Sequence, residues 1–344
     1  MRIAITVDPE LPVPPREYGG IERVVDLLVR GLMERGHEVT LFANRESTVC
    51  CELVPYEGRR SASWGDTARN IGQIVRRVVK GHYDLVHGFG RLAYMLPFLP
   101  MPIPKLMSYQ REICPRSIQW GHRLSRNTLQ FSACSRSMIR CVEHLGRWHV
   151  VYNAVGPDQY TFRSHVGPDA PFVFLGRIEH IKGTHLAIEI ARRCGRELVI
   201  AGNVPAEHRD YFESRIRPHI DGSKLRYVGP VGNAQKNELL GRAAALLMPI
   251  LWEEPFGIVM AESLACGTPV LGVRRGAVPE VVRDGENGFI GNDVEELVGA
   301  AKRINDIDRA ACRRSMEERF SSTIMVSEYL RIYKGMTSRH LEAA

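Results

Sequence analysis

Residues 253–270 read EEPFGIVMAESLACGTPV, and their pattern indicates the class of fold. Pro255 suits the entry to a helix, and the helical pattern that follows ends near Cys266. Apolar runs of strand length lie on either side, at 246–250 and 269–273. A strand, a helix and a second strand in this order predict parallel strands joined by a crossover helix.

Chemistry is predicted at the junction between the first of these strands and the helix. The amides of Gly257, Ile258 and Val259 open the helix, where unpaired N–H groups and the helix dipole favour a diphosphate. Glu254 and Glu262 could reach one rim of a cleft and accept hydrogen bonds from ribose and sugar hydroxyls. The alternative is an acid at a helix start followed by an exposed Glu, which is common on surface helices.

The same alternation of strands and helices extends through both halves of the chain. In the second half, further strands are predicted at 172–176, 197–201 and 225–228, with helices at 182–194, 206–216, 234–244 and 278–283. In the first half, strands are predicted at 2–7, 38–43 and 83–88, with helices from Ile21 and over 66–80. We therefore expect an α/β protein of two doubly wound parallel-sheet domains, 1–160 and 161–320. The closing helix 321–344 could join the first domain.

Two glycine-flanked loops are further candidate sites. Arg177 and Lys182 follow the predicted strand 172–176, and the carboxyl ends of strands are where open sheets bind ligands. Their charge suits a pyrophosphate leaving group, and the alternative is a basic loop without function. Gly20 begins the first helix and allows close approach to a phosphate or sugar, but the full glycine-rich dinucleotide fingerprint is lacking. A nicotinamide-dependent enzyme is therefore disfavoured.

Composition excludes several classes of protein. The start of the chain lacks a basic leader, and the apolar stretch 92–107 contains four prolines, so neither a signal peptide nor a membrane span is expected. Eight cysteines without regular spacing favour a reducing cytoplasm. Lys and Arg exceed Asp and Glu by seven, and many of the basic residues lie within 105–147. That segment is either a solvated surface or a site for an anionic acceptor, the inner membrane face or nucleic acid.

The motifs in this order resemble the retaining glycosyltransferases of family 4, which have the GT-B fold of two facing Rossmann-like domains. The likeness covers nearly the whole chain, and it implies an acceptor-side first domain, 1–160, and a second domain, 161–320, that binds the nucleotide-sugar donor. It is carried by Gly19 to Glu22, Arg35 to Val39, Asp84 to His87, Asn153, Gly176-Arg177, Lys182-Gly183, Ala201-Gly202, Val228-Gly229, the block Glu254 to Glu262, Gly267 to Val270 and Gly285 to Gly288.

The resemblance implies a role for each motif. Arg177 and Lys182 would bind the donor phosphates, and Glu262 would bind the ribose. Glu254, with Phe256, Gly257 and Ile258, would bind the transferred sugar and the distal phosphate. Gly20 would contact the donor from the first domain, and Gly202 and Val231 would line the base and ribose pocket. The implied donor is a nucleoside-diphosphate sugar, with uracil favoured over guanine.

Two positions depart from the family pattern. Many relatives carry a His soon after the strand at 105–109, where this chain has Gln110, and that His usually contacts the donor sugar. His87 and His122 are candidates to replace it, although a lone His is more often structural. The family's Asn-Gly turn before the linker is here Asn153-Ala154.

The expected chemistry is a substitution in which the acceptor attacks the same face that the diphosphate leaves. A double displacement would need a carboxylate beneath the anomeric carbon, and the resemblance gives the only candidate, Glu254, a role in binding sugar hydroxyls. No metal is expected, since Arg177 and Lys182 can neutralise the diphosphate. Asp306 and Asp308 are interpreted as polar residues at helix boundaries.

Alternatives remain for the function and for the acceptor. A nucleotide-sugar epimerase of the same fold would need additional acid and base groups. A non-enzymatic nucleic-acid binder would need a pattern of stacking aromatics that the basic segment lacks, and no nucleic acid is expected. The acceptor could be a glycan, a lipid-linked molecule or a small molecule. The expected location is cytoplasmic, with peripheral contact to an anionic membrane as a further hypothesis.

Overall fold

The computed structural model describes residues 1–16 and 19–343, and it describes the side chains of the last helix as far as Ser338. The chain forms two compact units. One consists of Met1–Ala154 with the closing helix, and the other of Val155–Ser321. The predicted boundary at 160–161 lies a few residues inside the second unit.

The first unit contains a parallel sheet of seven strands in the order β3-β2-β1-β4-β5-β6-β7. The strands are β1 (Arg2–Thr6), β2 (Glu38–Ala43), β3 (Glu52–Pro55), β4 (Leu85–Gly88), β5 (Lys105–Tyr109), β6 (Leu129–Ala133) and β7 (Trp148–Val150). The helices are α1 (Gly20–Glu34), α2 (Trp64–Gly81), α3 (Pro115–Leu124) and α4 (Arg136–Ile139). The central strands are buried on both faces, as expected for a sheet covered by helices.

The second unit contains a parallel sheet of six strands in the order β10-β9-β8-β11-β12-β13. The strands are β8 (Phe172–Leu175), β9 (Leu198–Ala201), β10 (Leu225–Tyr227), β11 (Ala245–Met248), β12 (Val270–Val273) and β13 (Gly288–Gly291). The helices are α5 (Thr184–Arg193), α6 (Arg209–Arg215), α7 (Asn233–Arg242), α8 (Ile258–Ala265), α9 (Val278–Val281), α10 (Val294–Ala301) and α11 (Arg309–Arg319). Asp308 caps α11 through its side chain, which accepts a hydrogen bond from the Ala310 amide at 2.8 Å.

The closing helix α12 (Ser322–Ala343) belongs to the first unit, where it packs on α1. A methyl group added at Gly31 of α1 would lie 2.6 Å from the Val326 side chain, so the two helices approach closely there. Beneath the helix, His87 of β4 is fully buried and hydrogen-bonds through Nδ1 to the Tyr333 hydroxyl at 2.6 Å. Its Nε2 meets Ser108 Oγ of β5 at 2.6 Å. The first of these bonds holds α12 to the sheet, and the second joins β4 to β5.

Burial lowers the pKa of His87 to about 3, so the ring is neutral at ordinary pH. This His therefore has a structural role in the first unit, and the hypothesis that it replaces the family His is wrong. The second candidate, His122, lies in α3 and is partly buried.

Four strands of the structure were not predicted from the sequence: β3, β6, β7 and β13. Each has three to five residues, among them a polar residue, a proline or a glycine that interrupts the apolar run by which strands such as β8 and β11 were predicted. The apolar stretch 92–107 forms a 3₁₀ helix, Leu92–Phe98, followed by the start of β5. Among the described helices, none has the length and apolar character needed to cross a membrane.

Candidate functional site

The candidate donor-binding residues Arg177, Lys182 and Glu254 lie at one edge of the second sheet. Strands β8 and β11 are parallel neighbours at its centre. The chain leaves β8 toward β9 on one side and leaves β11 toward β12 on the other, which makes this a topological switch point. Ligands of open α/β sheets bind outside the carboxyl ends of the strands at such a point. The loop after β8 carries Arg177 and Lys182, and the loop after β11 carries Glu254.

Lys182 and Glu254 form a direct ion pair across these two loops. The distance from Lys182 Nζ to Glu254 Oε2 is 2.7 Å, and Glu254 is 7% exposed. The Trp252 indole also donates to Oε2, at 3.1 Å, and its ring lies 4.5 Å from the Lys182 ammonium. The pair is therefore shielded from water on one side by an aromatic ring, which strengthens its electrostatic interaction.

A turn after β12 fixes the backbone of Glu254. The Ala277 amide donates to the Glu254 carbonyl at 2.9 Å, and the Gly276 amide donates to the Glu253 carboxylate at 2.8 Å. Gly276 has a φ of 53°, and any side chain there would overlap the Glu254 backbone. The sequence did not predict a role for Trp252 or Gly276. Trp252 contacts Lys182 of the loop after β8, and Gly276 of the turn after β12 contacts the loop after β11, and contacts between separate loops leave no local sequence pattern.

Glu262 is buried in α8 and is held by two side chains from outside that helix. It is 4% exposed. Its Oε1 accepts a hydrogen bond from the Tyr160 hydroxyl at 2.8 Å and another from the Lys236 ammonium of α7. The alternative interpretation of this residue as an exposed surface acid is therefore wrong. Lys236 was missed, since a lone Lys on a predicted helix carries no sequence signal.

Arg177 is oriented by a buried acid of its own loop. Its Nε lies 2.7 Å from Glu179 Oε1, and Glu179 is buried while the guanidinium is partly exposed. Further along the loop, Gly183 has a φ of 74°, and a side chain at this position would collide with the Pro249 carbonyl. The loops after β8 and β11 thus pass so closely that glycine is required at this crossing.

The remaining predicted residues of the loop after β11 contribute mainly backbone. The Phe256 side chain is buried and packs edge-on against Phe320 at 5.7 Å between ring centroids. Gly257 caps α8 in the left-handed conformation, with a φ of 71°. Because α8 begins at Ile258, the amides of Ile258 and Val259 have no acceptor within the helix and can bind an anion, whereas the Met260 amide already donates to the Gly257 carbonyl at 2.9 Å.

The other predicted residues belong to other elements. Gly202 follows β9, and its carbonyl accepts a hydrogen bond from the Tyr227 hydroxyl at 2.8 Å. Val231 is partly exposed in the loop before α7. Gly20 begins α1 in the first unit and is partly exposed.

The predicted basic segment 105–147 is only partly a surface. Lys105 has no exposed area, and its ammonium donates to the carbonyls of Met101 and Ile103, each at 2.7 Å. Burial lowers its pKa to about 7. Lys105 is therefore a correction to the expected basic face, because its side chain points into the fold. The arginines of the segment are exposed, and they are Arg111, Arg116, Arg123, Arg126, Arg136, Arg140 and Arg147.

Comparison of the sequence with known protein families identifies the family of this chain. The family described as Glycosyltransferase Family 4 matches residues 18–159, and the family described as Glycosyl transferases group 1 matches residues 163–319. The chain belongs to the group 1 glycosyltransferases of GT-B type. The second match contains both loops of the Lys182–Glu254 pair.

Individual relatives of this glycosyltransferase agree with the family match. AviGT4, a glycosyltransferase of avilamycin A biosynthesis, is 25% identical and covers 98% of both chains with a TM-score of 0.72. The Anabaena protein HepE, solved in complex with UDP-glucose, shares the fold at 16% identity with a TM-score of 0.72, covering 97% of this chain and all of that one. Glycogen synthase of Mycobacterium tuberculosis is 32% identical over 180 residues, which is 49% of this chain. The matched region spans 42% of that curated relative's length.

Proposed function

We propose that this group 1 glycosyltransferase transfers a hexosyl group, with retention, from a UDP-sugar to a hydroxyl of an acceptor. The observation that carries the proposal is the partly buried Lys182–Glu254 pair, with Arg177 on the same loop as Lys182, at the switch point of the second sheet. This arrangement supplies positive charge and a hydroxyl-binding carboxylate at the edge where open sheets bind nucleotides.

The diphosphate would be bound by charge and by backbone amides together. A diphosphate entering beside the pair would share the Lys182 ammonium with Glu254 and would meet the partly exposed guanidinium of Arg177. The first turn of α8, beginning at Ile258, would add N–H donors and a favourable dipole. These groups stabilise the negative charge that grows on the diphosphate as the glycosidic bond breaks.

Two carboxylates would hold the hydroxyl groups of the donor. Glu254 would accept hydrogen bonds from the transferred sugar, and Glu262, held in place by Tyr160 and Lys236, would accept them from the ribose. Gly202 and Val231 are proposed for the base and ribose pocket, and Gly20 for a donor contact, on the resemblance alone. The choice of uridine is supported by HepE, whose solved complex contains UDP-glucose.

The proposed reaction is a same-face substitution. The bond from the anomeric carbon to the diphosphate oxygen breaks, and a bond from that carbon to the acceptor oxygen forms on the same face. The acceptor proton passes to an oxygen of the departing diphosphate. Glu254 is occupied by the Lys182 ammonium and the Trp252 indole, which favours a binding role for this carboxylate over that of a covalent nucleophile.

Metal independence is part of the proposal. Arg177 and Lys182 would supply the countercharge that a divalent cation provides in other transferases. We expect donor hydrolysis and transfer to continue unchanged when a chelator is added. Loss of activity with a chelator, restored by Mg²⁺ or Mn²⁺, would contradict this part of the account.

Peripheral contact with an anionic membrane is proposed for the exposed face of α3. Trp120 is 62% exposed and Leu124 is 46% exposed, and the exposed Arg116 and Arg123 lie on the same side of the helix by their spacing. Apolar anchors bordered by arginines suit an interface with acidic headgroups. We expect the protein to sediment with vesicles containing anionic lipid and not with neutral vesicles, and the W120S variant to lose this binding.

The experiment that tests the proposed function combines donor binding with product stereochemistry. In a thermal-shift panel, UDP at 100 times its dissociation constant should add about 2.7 kcal/mol of stability, and ADP at the same concentration should add less. NMR of the transferred sugar should show the donor's anomeric configuration. An inverted product would contradict retention, and epimerised free sugar nucleotide would contradict transfer.

A further inference from the structure

A basic groove lies between α5 and α6 of the second unit. Its volume is about 420 Å³, which falls within the range of small-molecule sites, roughly 300–1,000 Å³. One side of α5, the end of α6 and the 3₁₀ turn Arg217–His219 form it. Its charged and titratable lining residues are His185, Glu189, Arg192, Arg193, Arg215 and His219. We refer to this site as the α5–α6 groove.

Helical spacing brings the residues of α5 to the groove. His185, Ile188, Glu189 and Arg192 recur every three or four positions, so they lie on one side of the helix. Ile188 is buried, whereas Arg192 is exposed. The groove therefore combines a buried apolar residue with charged residues that are open to solvent.

The three arginines of the groove differ in their ion pairs. Arg193 is paired with Glu295 at 2.5 Å and lies 3.7 Å from Glu189, which is the only acid among the described lining residues. Arg192 and Arg215 are exposed, and neither forms an ion pair within the described chain. The groove thus contains two guanidinium groups whose charge is not compensated by a neighbouring carboxylate.

The two histidines show that these charges lie close together. Burial, and then the charges of Arg192 and Arg215, lower the pKa of His219. Burial, and then the charges of His180 and Arg215, lower the pKa of His185. Arg215 therefore acts on both rings. A neutral imidazole still has one N–H group that can donate to a ligand.

This arrangement favours a ligand that carries a phosphate monoester. A guanidinium donates paired N–H groups that match two phosphate oxygens. A phosphate monoester has three terminal oxygens and close to two negative charges at neutral pH, whereas a carboxylate has two oxygens and one charge. An anion bound beside His219 would be attracted by both Arg192 and Arg215 and would reduce the repulsion between them.

The remaining lining residues favour a small molecule with hydroxyl groups. The Ser214 hydroxyl donates to the Asp210 carbonyl at 2.6 Å, so its oxygen can accept a hydrogen bond from a ligand. The Glu189 carboxylate can accept further hydrogen bonds. None of the exposed large apolar side chains of the described chain lines the groove, and such side chains are the anchors of membrane-binding faces.

We propose that the α5–α6 groove binds a small hydroxylated molecule that carries a phosphate monoester, at a site separate from the donor site. Arg192 and Arg215 bind the phosphate, and His219 donates a further hydrogen bond to it. Glu189 and Ser214 accept hydrogen bonds from the hydroxyl groups of the ligand. This site is independent of the proposed transferase reaction.

The test is calorimetric titration of the full chain with ribose 5-phosphate, ribose and inorganic phosphate, each with and without UDP. The variants are Arg192→Gln and Arg215→Gln, with Arg217→Gln as the control. Arg217 is an exposed arginine beside the groove that is paired with Glu213 at 3.2 Å and is not a lining residue. Its substitution removes the same charge from the same region. The imidazole NMR signals of His219, assigned by their loss in H219Q, report whether the ligand enters the groove.

We expect ribose 5-phosphate to bind both with and without UDP and to shift the His219 signals. Ribose should not bind, and inorganic phosphate should bind more weakly because it lacks the hydroxyl groups. R192Q and R215Q should each weaken the binding of ribose 5-phosphate by about tenfold, as expected for loss of a charged hydrogen bond. R217Q should bind it as the wild type does.

Four results would overturn the proposal. Absence of ribose 5-phosphate binding, or an equal loss in all three arginine variants, would show that the groove is only a solvated basic surface. Displacement by UDP, with unchanged affinity in R192Q and R215Q, would place the probe at the donor site. Equal affinity for inorganic phosphate would indicate a site for the free ion. The arginine variants and the His219 signals are also measured without UDP, so failure of the donor proposal would leave this test intact.

Discussion

Single residues at the candidate donor site combine binding with structural roles. The carboxylate of Glu262 is proposed for the ribose, yet it is also the partner of the buried Lys236 ammonium. Glu254 is likewise paired with Lys182. Removing one member of a buried pair leaves an uncompensated charge, so substitutions here change stability as well as ligand binding.

The Lys236–Glu262 pair is expected to stabilise the second unit. We expect Lys236→Met to destabilise the second unit by about 3 kcal/mol, because the buried Glu262 carboxylate would lose its ion-pair partner. The measurement is urea-induced unfolding, with the exposed Lys302→Met as the control. The double variant K236M/E262M should recover much of the loss, and an equal or larger loss in the double variant would contradict the account.

Loops that follow the strands decide where these residues meet. The crossing of the loops after β8 and β11 depends on Gly183, which has both a left-handed backbone and no room for a side chain. Gly195, just after α5, has a similar φ of 65° but open space around it. These two glycines separate the effect of backbone strain from the effect of the close approach.

We expect Gly183→Ala to lower stability by clearly more than Gly195→Ala. Left-handed backbone alone costs an alanine roughly 1–2 kcal/mol, and at position 183 the collision with the Pro249 carbonyl is added. Thermal unfolding of both variants, with UDP titration, provides the comparison. Equal effects of the two substitutions would show that the loop crossing is not tight.

The burial of His87 beneath α12 is expected to make the free energy of unfolding depend on pH. The pKa of His87 is about 3 in the folded chain and about 6.5 when unfolded, so the unfolded chain binds more protons between these values. Stability contributed by neutral His87 is therefore present above about pH 6.5 and is lost as the pH falls toward 3. His87→Gln should flatten the fall in unfolding free energy across this window by up to about 1.4 kcal/mol per pH unit. An unchanged slope in H87Q would contradict the assignment.

At the scale of the whole molecule, the sequence predicted two doubly wound sheets and the order of their main elements. Long periodic segments such as α1 and buried strands such as β11 carry that information locally. The sequence also predicted that Arg177, Lys182 and Glu254 belong near strand ends. It did not predict the Lys182–Glu254 contact or the role of Lys236, because pairing between distant loops leaves no local pattern. Lys105 was misjudged for a related reason, since its burial depends on the carbonyls of Met101 and Ile103 around it.

Calorimetric titration with UDP measures whether the donor diphosphate binds beside Lys182 and Arg177 of the second unit, as proposed. The variants are Lys182→Met and Arg177→Met, with Lys224→Met as the control. Lys224 is exposed and immediately precedes β10, at the opposite edge of the same sheet. We predict that K182M and R177M each weaken UDP binding by about tenfold or more, while K224M binds UDP as the wild type does. Unchanged UDP affinity in folded K182M and R177M would contradict the account.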